Sequence, residues 1–280
     1  MRAPTVTAAA RAFRVADFGP SAISDPSTTL NPTTTLLPND IEMHTKLGIP
    51  FELLVEAQIV RVTDREARGR YGIITDAYRN CSGIFYPYLC PITGKRTTGR
   101  LRRDDPEIDA DGKQVAKYLS PYGDNRHFYF PPGAGLLVAD PSTRIVLVEA
   151  EKSVLALTGW AARRGVKLLP IGMGGCWSWL RSDRRSGREG KSEPLADLHY
   201  CDGRRVYILL DNNTATNPKV QAAQTYLVRE LQKLERRCRP RICNLPATPG
   251  VNGPDDYIAI RGDDAMAAVL NNVHRRRNYA

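Results

Sequence analysis

The second half of the chain predicts an α/β fold with a parallel β-sheet, and two observations carry this prediction. From residue 144 onward, short apolar runs alternate with longer segments whose apolar residues recur at helical spacing. The runs at 145–148 and 206–210 are apolar at nearly every position, which is typical of strands covered on both faces. Alternating strands and helices of this kind build a parallel sheet with right-handed crossovers.

The first βαβ unit follows directly from the pattern. After the strand at 145–148, residues 152–164 carry apolar side chains at helical spacing, and Gly165 is placed to end that helix. A second strand is predicted at 166–171. The strand at 206–210 then counts as the third.

The remaining elements include the clearest helix in the chain. It begins with Asn217 as the N-cap and Pro218 in the first turn, and apolar residues line one of its faces. A fourth strand is predicted at 241–245. A terminal helix is predicted around 266–273.

The first half of the chain is predicted to contain a tail and a smaller subdomain. Residues 1–40 are expected to be disordered, because the stretch 24–38 is dense in Ser, Thr and Pro and can bury little apolar surface. Residues 41–140 are expected to form an α+β subdomain, and residues 141–280 the α/β domain. Within the subdomain we expect one helix and four short strands: 41–57, 71–74, 84–89, 99–103 and 127–130.

Charge and cysteine content narrow the class of protein. The net charge of +10 and the pI of about 9.4 favour a polyanionic partner, although a basic protein without such a partner would have the same composition. The six cysteines form no CxxC pairs, so we expect reduced thiols and no structural zinc site. No apolar run approaches the roughly 20 residues of a membrane span. We therefore expect a soluble, cytoplasmic protein with no membrane contact.

Two acidic residues follow predicted strands of the parallel sheet. Glu149 comes directly after the first strand and Asp211 directly after the third. If these strands are neighbours, the two carboxylates meet beyond the carboxyl ends of the strands, where functional groups of such sheets gather. Hard oxygen donors at that edge suit Mg²⁺. The alternative is that acidic residues end strands only because loops are exposed to water.

Several ordered motifs give the chain a resemblance to a known family. "VLVEAEKSVLAL", "VKLLPIGMGG" and "VYILLDNN" resemble the Toprim signature, in which a Glu ends one strand and a D-x-D ends a later one. Upstream, "FYPYLCPITGKRTTGRLRRDDP" and "AKYLSPYGDNRHFYFPPG" resemble the catalytic core of bacterial-type primases. Downstream, "PGVNGPDDYI" resembles the acidic motif that closes Toprim-like domains of plasmid and phage replication proteins. The resemblance implies a Toprim-like parallel sheet flanked by helices.

The resemblance also implies roles for the acidic residues. Glu149 matches the general acid/base, which is also associated with metal, and Asp211 matches the main Mg²⁺ ligand. Asn213 stands where the second Asp of D-x-D is found, and Asp255 and Asp256 match the later acidic pair. The implied cofactor is Mg²⁺ or Mn²⁺. Because Asn213 is neutral, it could offer an oxygen to the metal but no charge, which weakens metal binding.

Basic residues complete the implied site. Four of them lie in segments that face template and nucleotide phosphates in primases, and three more accompany the acidic edge and the basic stretch at 181–191. They are Arg100, Arg102, Arg103, Lys117, Lys152, Arg184 and Arg185.

The function implied by the resemblance is Mg²⁺-dependent phosphoryl transfer on nucleic acid, as primase-like nucleotidyl transfer in plasmid- or phage-type DNA replication. The expected partners are single-stranded DNA or RNA, NTPs and a separate replicative helicase, since the chain has no Walker motif. Two alternatives remain open. One is a non-catalytic nucleic-acid-binding module, which Asn213 favours, and the other is a Toprim nuclease that uses the same acidic edge.

Overall fold

The computed structural model describes residues 35–123, 125–181, 193–215, 217–236 and 238–272, without the side chains of residues 213 and 215. The predicted tail therefore lies outside the described residues, except for its last few. Arg184 and Arg185 also lie outside them. Within the described residues, no helix is long and apolar enough to cross a membrane.

The N-terminal half contains an antiparallel sheet in the order β1-β2-β3-β4, accompanied by three short helices. Along the chain these elements are α1 (Pro38–Thr45), α2 (Phe51–Glu56), β1 (Val60–Val62), α3 (Asp64–Gly69), β2 (Gly83–Leu89), β3 (Arg96–Arg103) and β4 (Tyr118–Leu119).

The C-terminal half contains a four-stranded parallel sheet in the order β10-β9-β5-β6. Its chain order is α4 (Ala134–Ala139), β5 (Arg144–Val148), α5 (Glu151–Arg163), β6 (Leu168–Gly172), β7 (Leu180–Arg181), β8 (Glu193–Pro194), β9 (Arg205–Leu209), α6 (Pro218–Gln232), β10 (Arg239–Cys243) and α7 (Pro254–Asn271). Short 3₁₀ helices at Ala196–Cys201 and Asn212–Ala215 flank β9. The α/β fold predicted from the sequence is confirmed.

The apolar run of β5 is continuous because both faces of the parallel sheet are covered. Val146 and Val148 belong to one hydrophobic cluster, with side chains of α5 and α7. Ile145 and Leu147 belong to a second cluster, with side chains of α6. Alternate residues of one strand therefore face different helices, and neither face is left for water.

The antiparallel sheet and the parallel sheet share a hydrophobic core. Tyr86 and Tyr88 of β2 lie in the same cluster as Val146 and Val148, and Leu54 of α2 joins them. The contact holds the antiparallel sheet next to the carboxyl end of β5. That placement brings basic residues of one sheet towards the acidic residues of the other.

The structure differs from the sequence prediction at two places in the N-terminal half. The helix predicted at 41–57 is two helices, because Gly48 has a φ of 74° and Pro50 has extended backbone as the N-cap of α2. The strand predicted at 71–74 is a turn around Gly72, although Ile73 is buried. Ile73 is buried although it lies in a loop, and the apolar pattern of the sequence does not distinguish such a residue from one in a strand.

Two further segments are assigned differently. The strand predicted at 127–130 reduces to a single bridge, in which Tyr129 exchanges backbone hydrogen bonds of 2.8 and 2.9 Å with Gly172 at the end of β6. The terminal helix begins at Pro254 rather than near residue 266. It kinks at Gly262, whose φ of 81° interrupts the helical period.

Candidate active site

Glu149 and Asp211 meet at the carboxyl edge of the parallel sheet. Their strands β5 and β9 are neighbours, with Leu147 opposite Ile208. The backbone N–H of Asp211 donates a hydrogen bond to Glu149 Oε1 at 3.2 Å. The two strands are therefore adjacent, as the predicted meeting of Glu149 and Asp211 requires.

The two carboxyl groups share a partly desolvated site, and both resist ionisation. Burial, with the charges of Glu149 and Asp255, raises the pKa of Asp211 to about 7, although a hydrogen bond from Asn252 opposes the rise. Burial also raises the pKa of Glu149, against the backbone N–H donors of Asp211 and Cys176. The clustered negative charge is therefore not neutralised by the surrounding protein.

One oxygen of Asp211 has no hydrogen-bond partner among the residues that the structure describes. Its Oδ2 accepts a hydrogen bond from Asn252 Nδ2 at 3.0 Å. Its Oδ1 is buried and accepts no hydrogen bond in the described part of the chain. A buried carboxylate oxygen without a donor is costly, so it marks a position where a cation would be stabilised.

The oxygen donors of this site suit Mg²⁺, which takes part of its coordination from water and phosphate, better than a metal that the protein alone surrounds. No group of three or more His, Cys, Asp or Glu side chains among the described residues is arranged to hold a metal by itself. Mg²⁺ needs only one or two carboxylates, because it keeps several waters and binds substrate phosphates. Glu149 and the unpartnered Oδ1 of Asp211 meet that requirement.

The start of α7 supplies the later acidic pair. Asp255 is buried, accepts a hydrogen bond from Ser153 Oγ at 2.7 Å and lies 3.6 Å from Lys152 Nζ. Asp256 accepts from the backbone N–H groups of Asn252 and Gly253 at 3.0 and 3.3 Å, which caps the helix. Asp255 thus lies beside the acidic pair, whereas the carboxylate of Asp256 is engaged by the backbone.

Gly253 allows these groups to approach each other. A Cβ atom at this position would lie 2.7 Å from Asp255 Oδ1 and 3.1 Å from Asp211 Oδ1. The backbone at Gly253 is extended, which any residue can adopt. Glycine is therefore needed there for the close approach of the carboxylates and not for its φ angle.

Acidic and basic residues line one cleft of about 300 Å³, which we call the strand-end cleft. Its acidic members are Glu149, Glu151, Asp211, Asp255 and Asp256, and its basic members are Arg100, Lys117 and Lys152. Arg100 comes from β3 and Lys117 directly precedes β4, so the antiparallel sheet contributes two of the three cations. Burial lowers the pKa of Lys117, and the nearby positive charges of Arg102 and Lys152 lower it further. An anionic ligand would relieve that repulsion.

Arg100 also joins the two sheets through Glu151. Glu151 is almost fully buried at the start of α5, and its Oε1 accepts a hydrogen bond from the Tyr88 hydroxyl at 2.5 Å. Arg100 Nη1 lies 3.3 Å from the same oxygen, and its guanidinium stacks over the Tyr118 ring. Glu151 was not among the predicted site residues, although it stands two residues after Glu149 and is polar at a helix start.

Not every basic residue predicted for the site is brought to the cleft. The side chain of Arg103 is fully buried and paired with Glu107, at 2.6 Å, and its guanidinium lies over Tyr78. It is held within the antiparallel sheet. Arg102 is half-buried and does not line the strand-end cleft, although its charge acts on Lys117. The side chain of Asn213 lies outside the described residues.

An aromatic cluster lies close to the acidic pair. Trp177 stacks on Trp179 with an interplanar angle of 17°, and both rings contact Tyr226 of α6. Trp179 is buried, whereas Trp177 and Tyr226 are each 40% exposed. Cys176, which immediately precedes Trp177, donates its backbone N–H to Glu149. The exposed ring of Trp177 therefore belongs to a residue next to one that contacts the acidic pair. The sequence does not reveal that Tyr226 belongs to this cluster, because helical spacing does not show which distant residues a side chain contacts.

The family model described as "Domain of unknown function (DUF3854)" matches residues 136–265, which contain the parallel sheet and its acidic residues. A search of curated proteins finds no match to the chain.

Solved primases have similar structures. The crystal structure of the Aquifex aeolicus primase, containing its zinc-binding and RNA polymerase domains, is 12% identical with a TM-score of 0.53 and matches 85% of this chain. The chain spans 56% of that protein's length. The RNA polymerase domain of the Mycobacterium tuberculosis primase is 13% identical, with a TM-score of 0.48 over 83% of this chain and 72% of its own. The primase fragment of the bacteriophage T7 primase-helicase is 12% identical, with a TM-score of 0.44 over 90% of this chain and 83% of its own. The likeness to the Aquifex primase shows that this chain has the fold of a primase catalytic core.

Proposed function

We propose that the protein carries out Mg²⁺-dependent phosphoryl transfer on nucleic acid, as a primase-like nucleotidyltransferase with a Toprim-like domain at residues 141–280. One observation carries the proposal. Glu149 and the carboxylate oxygen of Asp211 that accepts no hydrogen bond from the described residues lie in one cleft with three cationic side chains. Phosphoryl transfer requires groups that hold a metal beside groups that hold phosphates, and this cleft offers both.

Asp211 and Glu149 would hold the metal, with Asn213, Asp255 or Asp256 as further candidates. Bound there, Mg²⁺ or Mn²⁺ would supply Lewis-acid stabilisation of phosphate charge. Glu149 would take the proton of an attacking hydroxyl, and burial raises the pKa of its carboxyl, which makes it a stronger proton acceptor. Ser153 and Lys152 hold the carboxylate of Asp255 close to the pair.

Arg100, Lys117 and Lys152 would bind phosphates in the strand-end cleft, and Arg102, Arg184 and Arg185 would extend that surface. The exposed rings of Trp177 and Tyr226 can stack with unpaired bases, which favours a single strand of DNA or RNA. NTPs and a separate replicative helicase are the further partners we propose, in the cytoplasm and in a plasmid or phage setting.

The direct test incubates the full chain with single-stranded DNA, NTPs and Mg²⁺ or Mn²⁺. New oligonucleotides are the expected product. Shortened DNA would instead identify a nuclease, and salt-sensitive binding without a product would identify the binding module that the neutral Asn213 favours.

Glu149→Gln should lower the rate of oligonucleotide synthesis by about 100-fold or more, because it removes the proton acceptor and one metal-associated charge while preserving the shape of the side chain. Product formation is measured on denaturing gels at saturating NTP. Glu52→Gln is the matched control, since Glu52 is exposed on α2, outside the cleft. Equal rates for Glu149→Gln and the wild type would contradict the role assigned to Glu149.

Lys117→Ala and Lys152→Ala should each weaken binding to a single-stranded oligonucleotide and reduce its salt dependence. Each lost phosphate contact lowers the slope of log K against log salt by about 0.7. Fluorescence anisotropy over a salt series measures that slope. Lys113→Ala is the control, because Lys113 is exposed in a turn away from the cleft. Slopes that change equally in all three variants would show that general charge alone drives binding.

A further inference from the structure

A second cleft lies on the other side of Asp211 and has no role in the function proposed above. It has a volume of about 400 Å³ and is formed where β9 and β10 end, under helix α6. We call it the amide cleft, because its polar lining is dominated by the side chains of Asn212, Gln221, Gln224 and Asn244. Leu210 and Leu245 supply apolar surface, and Asp211 is common to both clefts.

Gln224 is the unusual residue of the amide cleft. Val220, Leu227 and Leu231 form the buried stripe of α6, and Gln224 stands in that stripe one turn after Val220. Helical spacing would place an apolar residue there. Gln224 is only 4% exposed, and its Nε2 makes no hydrogen bond in the described part of the chain. A buried amide without a partner costs about 1–3 kcal/mol, so its place in the stripe calls for a ligand.

The two clefts divide by charge. The strand-end cleft holds three cations, whereas the described lining of the amide cleft contains no lysine or arginine. Amides, the Thr214 hydroxyl and two leucines suit a flat, neutral ligand with polar edges. Amide side chains recognise bases by donating and accepting hydrogen bonds together. A phosphate would find no positive charge among the described residues that line the amide cleft.

From this division we infer that the amide cleft binds the nucleoside part of a nucleotide whose phosphates lie in the strand-end cleft. The inference rests on the proposed function and extends it. Gln224 would donate its free Nε2–H to an acceptor of the base or sugar, and Leu210 and Leu245 would contact the apolar face. Asp211 would stand between the two parts of the ligand. The nucleotide could be a free NTP or one unit of a strand.

The test compares ligands that differ only in the nucleoside. Isothermal titration calorimetry with Mg²⁺ measures binding of ATP, GTP, CTP and UTP, of inorganic triphosphate, and of a single-stranded oligonucleotide, to the full chain. Gln224→Leu should weaken the binding of at least one NTP, or of the oligonucleotide, by about tenfold, because it removes a buried hydrogen bond. The affinity for inorganic triphosphate should not change. Whether the loss falls on the NTPs or on the oligonucleotide identifies the source of the nucleoside.

Two controls separate binding from folding. Gln232→Leu makes the same replacement on the same helix at an exposed position and should leave every affinity unchanged. The melting temperature of ligand-free Gln224→Leu should not fall, since an apolar side chain replaces an unpartnered amide. Unchanged affinity for all NTPs and for the oligonucleotide, or an equal loss for triphosphate, would overturn the inference. Because binding is measured without turnover, absence of oligonucleotide synthesis would count against the proposed function and leave this result intact.

Discussion

Replacing Asp211 with Asn should strongly reduce oligonucleotide synthesis and, at the same time, make the metal-free protein more stable above neutral pH. Activity should fall by about 1,000-fold, because the variant loses a charged metal ligand. Stability should rise because the wild type holds a carboxylate whose Oδ1 has no donor among the described residues, near Glu149 and Asp255. Function and stability conflict at this residue.

The size and pH dependence of the stability gain follow from the pKa of Asp211, which is about 7 in the folded protein against an ordinary value of 3.8. Between those values the folded state retains a proton that the unfolded state has lost, so wild-type stability falls as the pH rises. Above pH 7 the full penalty applies, and its ceiling is roughly 4 kcal/mol. We expect Asn to recover about 2 kcal/mol at pH 8 and almost nothing near pH 4, since solvent relaxation lessens the penalty.

Thermal unfolding of both proteins from pH 4 to pH 8, with and without Mg²⁺, measures this effect. Mg²⁺ should raise the melting temperature of the wild type through ligand linkage and should have little effect on Asp211→Asn. A lower melting temperature for Asp211→Asn than for the wild type at pH 8 would contradict this prediction. It would show that the Asp211 carboxylate stabilises the folded protein.

Arg100→Ala should destabilise the protein by about 3 kcal/mol, because the buried Glu151 carboxylate would keep, within the described residues, the Tyr88 hydroxyl as its one remaining partner. Arg100 belongs to the antiparallel sheet and Glu151 to the first turn of α5, so the variant also loosens the contact between the two sheets. Arg102→Ala is the matched control. It lies on the same strand and face, and within the described residues it makes no ion pair.

A double-mutant cycle in urea identifies the cause. In a Glu151→Gln background, Arg100→Ala should cost less than about 1 kcal/mol, because no buried charge is left unpaired. If the loss is the same in both backgrounds, then packing over Tyr118 is responsible and the ion pair is not.

The two sheets differ in how far they could be predicted. The strands β5 and β9 are buried on both faces, so their apolar runs identify them without knowledge of their neighbours. Helix α6 has its N-cap Asn217 and Pro218 where the sequence predicts them. In the antiparallel half, the strand β1 is only three residues long, and Ile73 is buried from a turn. Elements this short, which pack through single side chains, show no regular spacing of apolar residues from which they could be predicted.

Helix α3 was not predicted, although a signal for it exists. Thr63 and Glu66 form a capping box, in which Glu66 accepts from the Thr63 N–H at 2.9 Å. The pattern T-x-x-E in the sequence is the usual sign of such a start. The helix has six residues, too few to show an apolar face.

The α/β class, the strands that precede Glu149 and Asp211, and the helix that carries Gln224 can be predicted from the sequence. These features are local, because strand burial, helix caps and helical spacing depend on residues close together in the chain. The adjacency of β5 and β9 comes from tertiary contacts, and it is this adjacency that makes the two carboxylates share a site and resist ionisation. The same contacts bring Arg100 to Glu151, pair Arg103 with Glu107, and bury Gln224 with its Nε2 unbonded within the described residues. Each of these depends on contacts between residues far apart in the chain, where burial and charge act through space and leave no period in the sequence.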